Sequence, residues 1–313
     1  MSKNPYAVAI FVSRESTERA MRTIVSALAS ALPGTVIDVL INGNPELARS
    51  LPSLCRNISV PKEKRLRLWN IELGDKANAW NQFAHSVFED QEIVWFMDGY
   101  VTPIEGSFLS MQEGLKNHSS VLGATGVPTD GVSAARLQNE MRESGGLHGN
   151  LFCVRGSVIK RIADQEIRLP LGLYWVDGLV CALLNFNLKP SDHEWNPKRV
   201  WIDYQATWAS DSLGALNMEG LMIQVRRAFR QARGRVENLA LRDFLHTRKR
   251  NPETLPNSVN ELVSNWVKEN PLQAASSILS RPWRLYALRQ LIGRRDWSSQ
   301  CMRAELIAER FGT

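Results

Sequence analysis

Between Tyr6 and Asp98 the chain alternates short apolar runs with segments of helical periodicity, and this alternation constrains the fold more than any other feature. Tyr6 to Val12 reads as a buried strand. Glu15 to Leu32 carries Ala20, Ile24, Val25, Leu28 and Ala29 at helical spacing, and Pro33-Gly34 ends it. Thr35 to Ile41 is a second strand, closed by the turn formers Asn42-Gly43-Asn44-Pro45. A third lies within Leu66 to Leu73, followed by a helix that Asp75 can cap and that runs to about Phe88. Glu92 to Met97 is a fourth, with Asp98 at its carboxyl end. These strands are too apolar to keep one face in water. They predict an α/β fold: a mostly parallel central sheet of Rossmann-like type with helices on both faces.

Further strands are expected at Val121–Val127 and Asn150–Val154, and helices near Ser157–Ala163 and Val176–Leu184. After about Asp211 strand signals stop, and helices broken near Pro252, Pro256, Pro271 and Pro282 follow. The expected organisation is an α/β domain over 1–210 and a basic, helical C-terminal region over 211–313.

Composition narrows the class. Hydrophobic residues make up 44% of the 313 and charged residues 22%, which is ordinary for a folded globular chain. No apolar run approaches the roughly 20 residues that span a bilayer, and no signal-peptide core follows Met1. Cys55, Cys153, Cys181 and Cys301 are widely separated, as expected of a chain in a reducing compartment and unlike a zinc ribbon. The net charge is +6, and the excess is local: Arg226, Arg227, Arg230, Arg233 and Arg235 come within ten residues without an acid. Such a run is either a solvated helix face or a surface for an anionic partner: a nucleotide diphosphate, an anionic membrane or nucleic acid. Nucleic acid ranks last, since no base-stacking aromatic pattern accompanies the charge.

In parallel sheets of this kind, ligands bind beyond the carboxyl ends of the strands. Ser13, Arg14, Glu15, Asn42, Asp98, Gly99 and Tyr100 fall there. Asp98 either caps the next turn or, as a carboxylate ending a buried strand, ligates a divalent cation that holds a diphosphate. The chain lacks a Gly-x-Gly-x-x-Gly turn after its first strand, a Walker A sequence and a Gly-x-Ser-x-Gly elbow. Dinucleotide oxidoreductases, P-loop proteins and α/β-hydrolases are therefore disfavoured.

Asp98-Gly99-Tyr100-Val101-Thr102-Pro103 resembles the Asp-x-Asp segment of GT-A glycosyltransferases, family 2 in particular, with Tyr100 in the place of the second acid. Lys76-Ala77-Asn78-Ala79-Trp80-Asn81 resembles that family's Lys-Ala-Gly-Ala-Leu-Asn segment. Lys76 would set a cation near a helix start beside the nucleotide. The resemblance covers roughly residues 6–200 and implies an inverting transfer of a sugar from a nucleotide-diphosphate sugar to a hydroxyl of a saccharide or lipid-linked acceptor, with Mn²⁺ or Mg²⁺. It implies that Ser13, Arg14, Glu15 and Asn42 meet the nucleoside. Gly149, Asn150 and Arg155, in a segment similar to the family's Gly-x-x-x-x-x-Arg-Arg strand, would line the acceptor side with Trp175. Asp177 stands where the family keeps its general base, with Val176 replacing the preceding Glu. His193 is in place for a further metal ligand beside Asp98. Gln224-Val225-Arg226-Arg227 loosely resembles the family's Gln-x-x-Arg-Trp helix, which would bring Arg226 and Arg227 to the diphosphate. A cytoplasmic location, peripheral on the inner membrane, and a role in surface polysaccharide or glycolipid synthesis follow from the same resemblance. The departures at Tyr100, Val176 and Gly156 keep a second reading open: a nucleotide-sugar-binding partner without turnover. A basic adaptor for membrane or nucleic acid is the third.

Overall fold

The computed structural model describes residues 4–129, 134–144, 146–210, 218–279, 282–292 and 296–312. The elements follow in the order β1 (Tyr6–Val12), α1 (Thr17–Ser30), β2 (Thr35–Asn42), α2 (Pro45–Cys55), β3 (Arg65–Ile71), α3 (Lys76–Gln82), β4 (Ile93–Asp98), β5 (Val101–Pro103), α4 (Ser107–Asn117), β6 (Gly123–Pro128), α5 (Ala134–Ser144), β7 (Leu151–Arg155), α6 (Gly156–Asp164), α7 (Val176–Asn185), β8 (Val200–Ser210), α8 (Met218–Arg242), α9 (Val259–Glu269), α10 (Pro271–Leu279), α11 (Pro282–Ile292) and β9 (Glu305–Phe311). A single π-helical turn, Phe83–Val87, extends α3 to where the sequence predicts the helix to end.

All nine strands form one sheet in the order β5-β8-β6-β7-β4-β1-β2-β3-β9. Strands β1, β2, β3 and β4 pair in parallel, as the alternation predicts. The sheet as a whole is mixed, not mostly parallel. β7 runs antiparallel to both β4 and β6, β5 to β8, and β9 to β3. The reason is that burial on both faces dictates composition, not direction. Leu151-Phe152-Cys153-Val154 is as apolar as any parallel strand, so nothing in its pattern reports the reversal.

Successive residues of β1 go to opposite sides. Ala7, Ala9 and Phe11 join the apolar cluster under α3, α6, α7, α8 and α9, whereas Val8, Ile10 and Val12 join the one under α1, α2 and α4. The local signals act as expected. Ser16 caps α1 by accepting from the Arg19 N–H, the helix ends at the extended Ala31, and Gly34 at φ +77° turns the chain into β2. Asn44 caps α2, with Pro45 at its start, so the predicted turn at Asn42–Pro45 is also a helix start.

The chain after residue 210 does not stay helical. β9 pairs with β3 at the sheet edge, and Ala232, Val236, Leu262 and Trp266 share an apolar cluster with β1 and β4. Strands β8 and β9 escape the sequence reading because their burial is partial and irregular, as suits strands near an edge. Among the described residues no helix is long and apolar enough to cross a membrane.

Candidate active site

The strand registers bring the chemistry to one end of the sheet. Phe11 lies beside Asp98, Val12 beside Ile41, and Met97 beside Leu151. The carboxyl ends of β1, β2 and β4 and the segment entering β7 therefore meet at one edge. Gly99 makes the meeting close. Its N–H donates to the Phe11 carbonyl at 2.8 Å, and a Cβ there would stand 2.9 Å from that oxygen and from a Val12 methyl.

Asp98 is the centre of a polar cluster. Its side chain is 15% exposed, and its Oδ1 is ion-paired with the Lys76 ammonium at the start of α3. Its Oδ2 accepts from the Tyr100 hydroxyl at 2.9 Å. The Tyr100 oxygen also lies 3.0 Å from the Asn150 side-chain oxygen. One phenolic proton serves one acceptor at a time, so that contact needs the Asn150 amide turned to present its NH₂. Burial, with the charge of Asp98, pushes the Tyr100 phenol far up, and it stays protonated. For Lys76, burial pulls the ammonium down, but the carboxylates of Asp98, Asp177 and Glu15 outweigh it and hold the pKa above its ordinary value. Lys76 is thus the shared cation of three acids.

Asp177 sits in the first turn of α7, and its Oδ2 accepts from the Gly149 N–H at 3.0 Å. Among the described residues Oδ1 accepts no hydrogen bond. His148, next to Gly149, completes the cluster. Its ring stacks on Trp208 of β8 at 5.1 Å, and its Nδ1 faces the Asn150 N–H at 3.3 Å, which leaves the proton on Nε2 in the neutral ring. Burial lowers its pKa, with Lys76 adding to the effect and Asp177 and Asp98 opposing it. The sequence reading treats His148 only as part of a flexible glycine segment. The signal it offers is a His between two glycines ahead of an apolar strand.

Other predicted residues are placed differently. Glu15 folds its carboxylate back onto the Ser13 and Arg14 N–H groups at 2.6 and 2.9 Å, closing the loop after β1. Asn42 is 2% exposed and donates to the Val12 carbonyl, so it ties β2 to β1. Trp175 and Tyr174 pack against Gly234 of α8, where a Cβ would stand 2.7 Å from Tyr174. Arg155 lies opposite Ile93, at the other end of β4 from Asp98. Its guanidinium is spent on the Val121, Leu115 and His118 carbonyls. An antiparallel β7 carries the two ends of the Gly149–Arg155 segment to opposite edges of the sheet. His193 lies beyond the C-terminus of α7, with Nε2 3.1 Å from the Asn187 amide, whereas Asp177 is at that helix's N-terminus. The structure does not bring His193 to Asp98. Arg226 and Arg227 are on α8, with side chains outside the described residues.

Two residues of α8 support the site without being predicted for it. Glu237 is buried, pairs with Arg233 at 2.7 Å and accepts from the Tyr174 N–H at 2.8 Å. Arg233 also donates to the Gly172 carbonyl, and the Gly172 N–H donates to Asp75, the cap of α3. This chain of contacts fixes the segment that leads into Asp177. It also shows that one arginine of the basic run is committed internally. A cavity of about 530 Å³ opens beside α3, lined among others by Asn78, Gln82, Arg168 and Trp297, but by none of the predicted site residues.

Among the described residues no three His, Cys, Asp or Glu side chains gather as a metal site. Asp98 supplies one hard carboxylate, which suits a cation that takes its remaining ligands from phosphate oxygens. Each Asp98 oxygen accepts one hydrogen bond, from Lys76 or Tyr100, and keeps a lone pair that an ion could use.

No family model and no curated protein matches the chain. Among solved structures it is similar to the mannosyltransferase PcManGT from Pyrobaculum calidifontis, in complex with GDP-Man and Mn²⁺. The TM-score is 0.56 at 14% identity, over 92% of this chain and 84% of that one. The likeness shows that the chain shares its fold with that enzyme along nearly its whole length.

Proposed function

We propose that the protein is a glycosyltransferase that moves a sugar from a nucleotide-diphosphate donor to a hydroxyl of a saccharide or lipid-linked acceptor, with inversion. The observation that carries the reading is the convergence of Lys76, Asp98, Tyr100, Asn150 and Asp177 at the carboxyl edge of a sheet whose fold is shared with a nucleotide-sugar enzyme. The donor diphosphate lies over Asp98 and Lys76, where the ammonium offsets the charge that collects on the departing group. A bound Mn²⁺ or Mg²⁺, held by Asp98 and the donor phosphates, would supply further Lewis acidity there. Asp177 accepts the proton of the attacking hydroxyl on Oδ1, while the Gly149 N–H holds Oδ2 and fixes the carboxylate plane. His148 stays neutral near pH 7 and walls the acceptor side together with Trp208.

Thermal shifts with UDP, GDP, dTDP and CMP, each with and without Mn²⁺, test donor binding. A nucleotide at a hundred times its Kd stabilises by about 2.7 kcal/mol. Asp177→Asn should keep that shift and lose turnover by about a hundredfold or more. Unchanged turnover in this variant would remove Asp177 from the mechanism. The engagement of both Asp98 oxygens by Lys76 and Tyr100 favours one competing reading, a donor-binding partner without turnover. A nucleotide shift with no sugar released to water or acceptor would select it.

A further inference from the structure

The outer face of α11 breaks the usual pattern of a surface helix. Ala287 and Leu291 point inward and are buried where α11 packs on α8 and α9. The opposite face should then be polar. Instead Leu285, Tyr286 and Ile292 stand in solvent there; Trp283, one turn before Ala287 at the helix start, is 64% exposed, and Leu272 of the adjoining α10 is 86% exposed. Large apolar side chains are thus concentrated on one short stretch rather than scattered, which marks an interaction surface. The aromatic rings are held in place: Phe229 of α8 meets Trp283 edge-on at 5.3 Å and Tyr286 at 5.0 Å.

Charge identifies the occupant. From Pro271 to Arg295 the sequence holds five arginines and no Asp or Glu. Arg289 is exposed on the same helix as Trp283, and Arg230 follows Phe229 on α8. Neither has an acidic partner among the described residues. An apolar face with Trp and Tyr, on a segment that carries cations and no acid of its own, has the chemistry of a helix lying in the headgroup layer of an anionic bilayer. We propose that the α10–α11 face, with Arg230 of α8, docks on an anionic phospholipid surface. Trp283, Leu285 and Ile292 enter the acyl boundary, and Arg230 and Arg289 meet the lipid phosphates. The proposal stands independently of the transferase reading.

The experiment is flotation of the full chain with phosphatidylcholine vesicles and with vesicles of phosphatidylcholine and phosphatidylglycerol. Binding to the anionic vesicles alone is expected. Arg289→Glu should weaken it about tenfold or more, and Leu285→Ser/Ile292→Ser by at least as much. Both variants should melt near the parent temperature, because neither alters the buried Ala287 and Leu291 or the Trp283 and Tyr286 rings packed on Phe229. Absence of vesicle binding, equal binding to both vesicles, or undiminished binding in both variants would overturn the proposal. A dimer in lipid-free solution that both variants dissociate, without vesicle binding, would assign the face to a second copy and overturn it too.

Discussion

Lys76→Met probes the candidate site most directly, because it removes the cation that three carboxylates share while keeping a long side chain and a good helix former. Lys76 leaves 35% of its side chain in solvent and Asp98 15%. The pair therefore belongs between exposed pairs, worth about 0.2–1 kcal/mol, and buried ones, whose breakage costs about 3–5 kcal/mol. A loss of about 1–2 kcal/mol at pH 7 is expected in urea unfolding. In Lys76→Met/Asp98→Asn the orphaned charge is gone as well, and a double-mutant cycle should return a coupling of about 1 kcal/mol or more. Two further readouts separate this account from a merely structural one. The ammonium now pushes the His148 pKa down against the pull of Asp177 and Asp98, so the value should rise in the variant, followed by NMR titration of the ring protons. Nucleotide diphosphate binding should weaken about tenfold to a hundredfold, the loss of a charge-assisted hydrogen bond to phosphate. A variant with the parent His148 titration and the parent nucleotide shift would refute the placement of Lys76 at the donor.

Tyr100→Phe removes the hydroxyl that Asp98 accepts at 2.9 Å and should cost about 1–2 kcal/mol, read by the same unfolding assay. Gly156→Ala places a Cβ 1.6 Å from the Gln91 carbonyl oxygen and should cost about 3 kcal/mol or prevent soluble expression; a parent-like melting temperature would show that the β7–α6 turn can shift. Arg67→Met breaks a two-pronged pair to Asp38, at 2.6 and 3.0 Å, in which both side chains are almost wholly buried. A cost of about 3–5 kcal/mol at pH 7 is expected. Burial already pushes the Asp38 carboxyl above its ordinary value against the pull of Arg67. Without Arg67 the folded-state pKa rises further above the unfolded one. The folded variant then holds its proton longer, so its stability relative to the parent is greatest below the usual carboxylate range and falls as pH rises through the elevated value. A pH-independent difference in unfolding free energy would contradict this.

What the sequence reveals and what it hides divide along a physical line. Tyr6–Val12, Thr35–Asn42 and Ile93–Asp98 are legible because both faces are buried and the helices between them carry their own caps. The same double burial hides direction, so the reversal of β7 is invisible in Leu151–Arg155. That one reversal decides much of the site. It keeps Gly149 and Asn150 beside Asp98 and carries Arg155 to the far end of the strand, although five residues of apparent motif join them. α7 acts on the same principle. Its N-terminus delivers Asp177, and its length of about 15 Å removes the segment that holds His193. Residues fixed by short-range register are therefore readable from a motif, whereas residues joined through a strand or helix of unknown direction are not. The internal use of Arg233 illustrates a third limit: an acid four residues away, Glu237, turns part of a basic run into support for the Tyr174–Asp177 segment. The charge that remains exposed, with the apolar face of α11 beside it, is what the fold leaves for a partner.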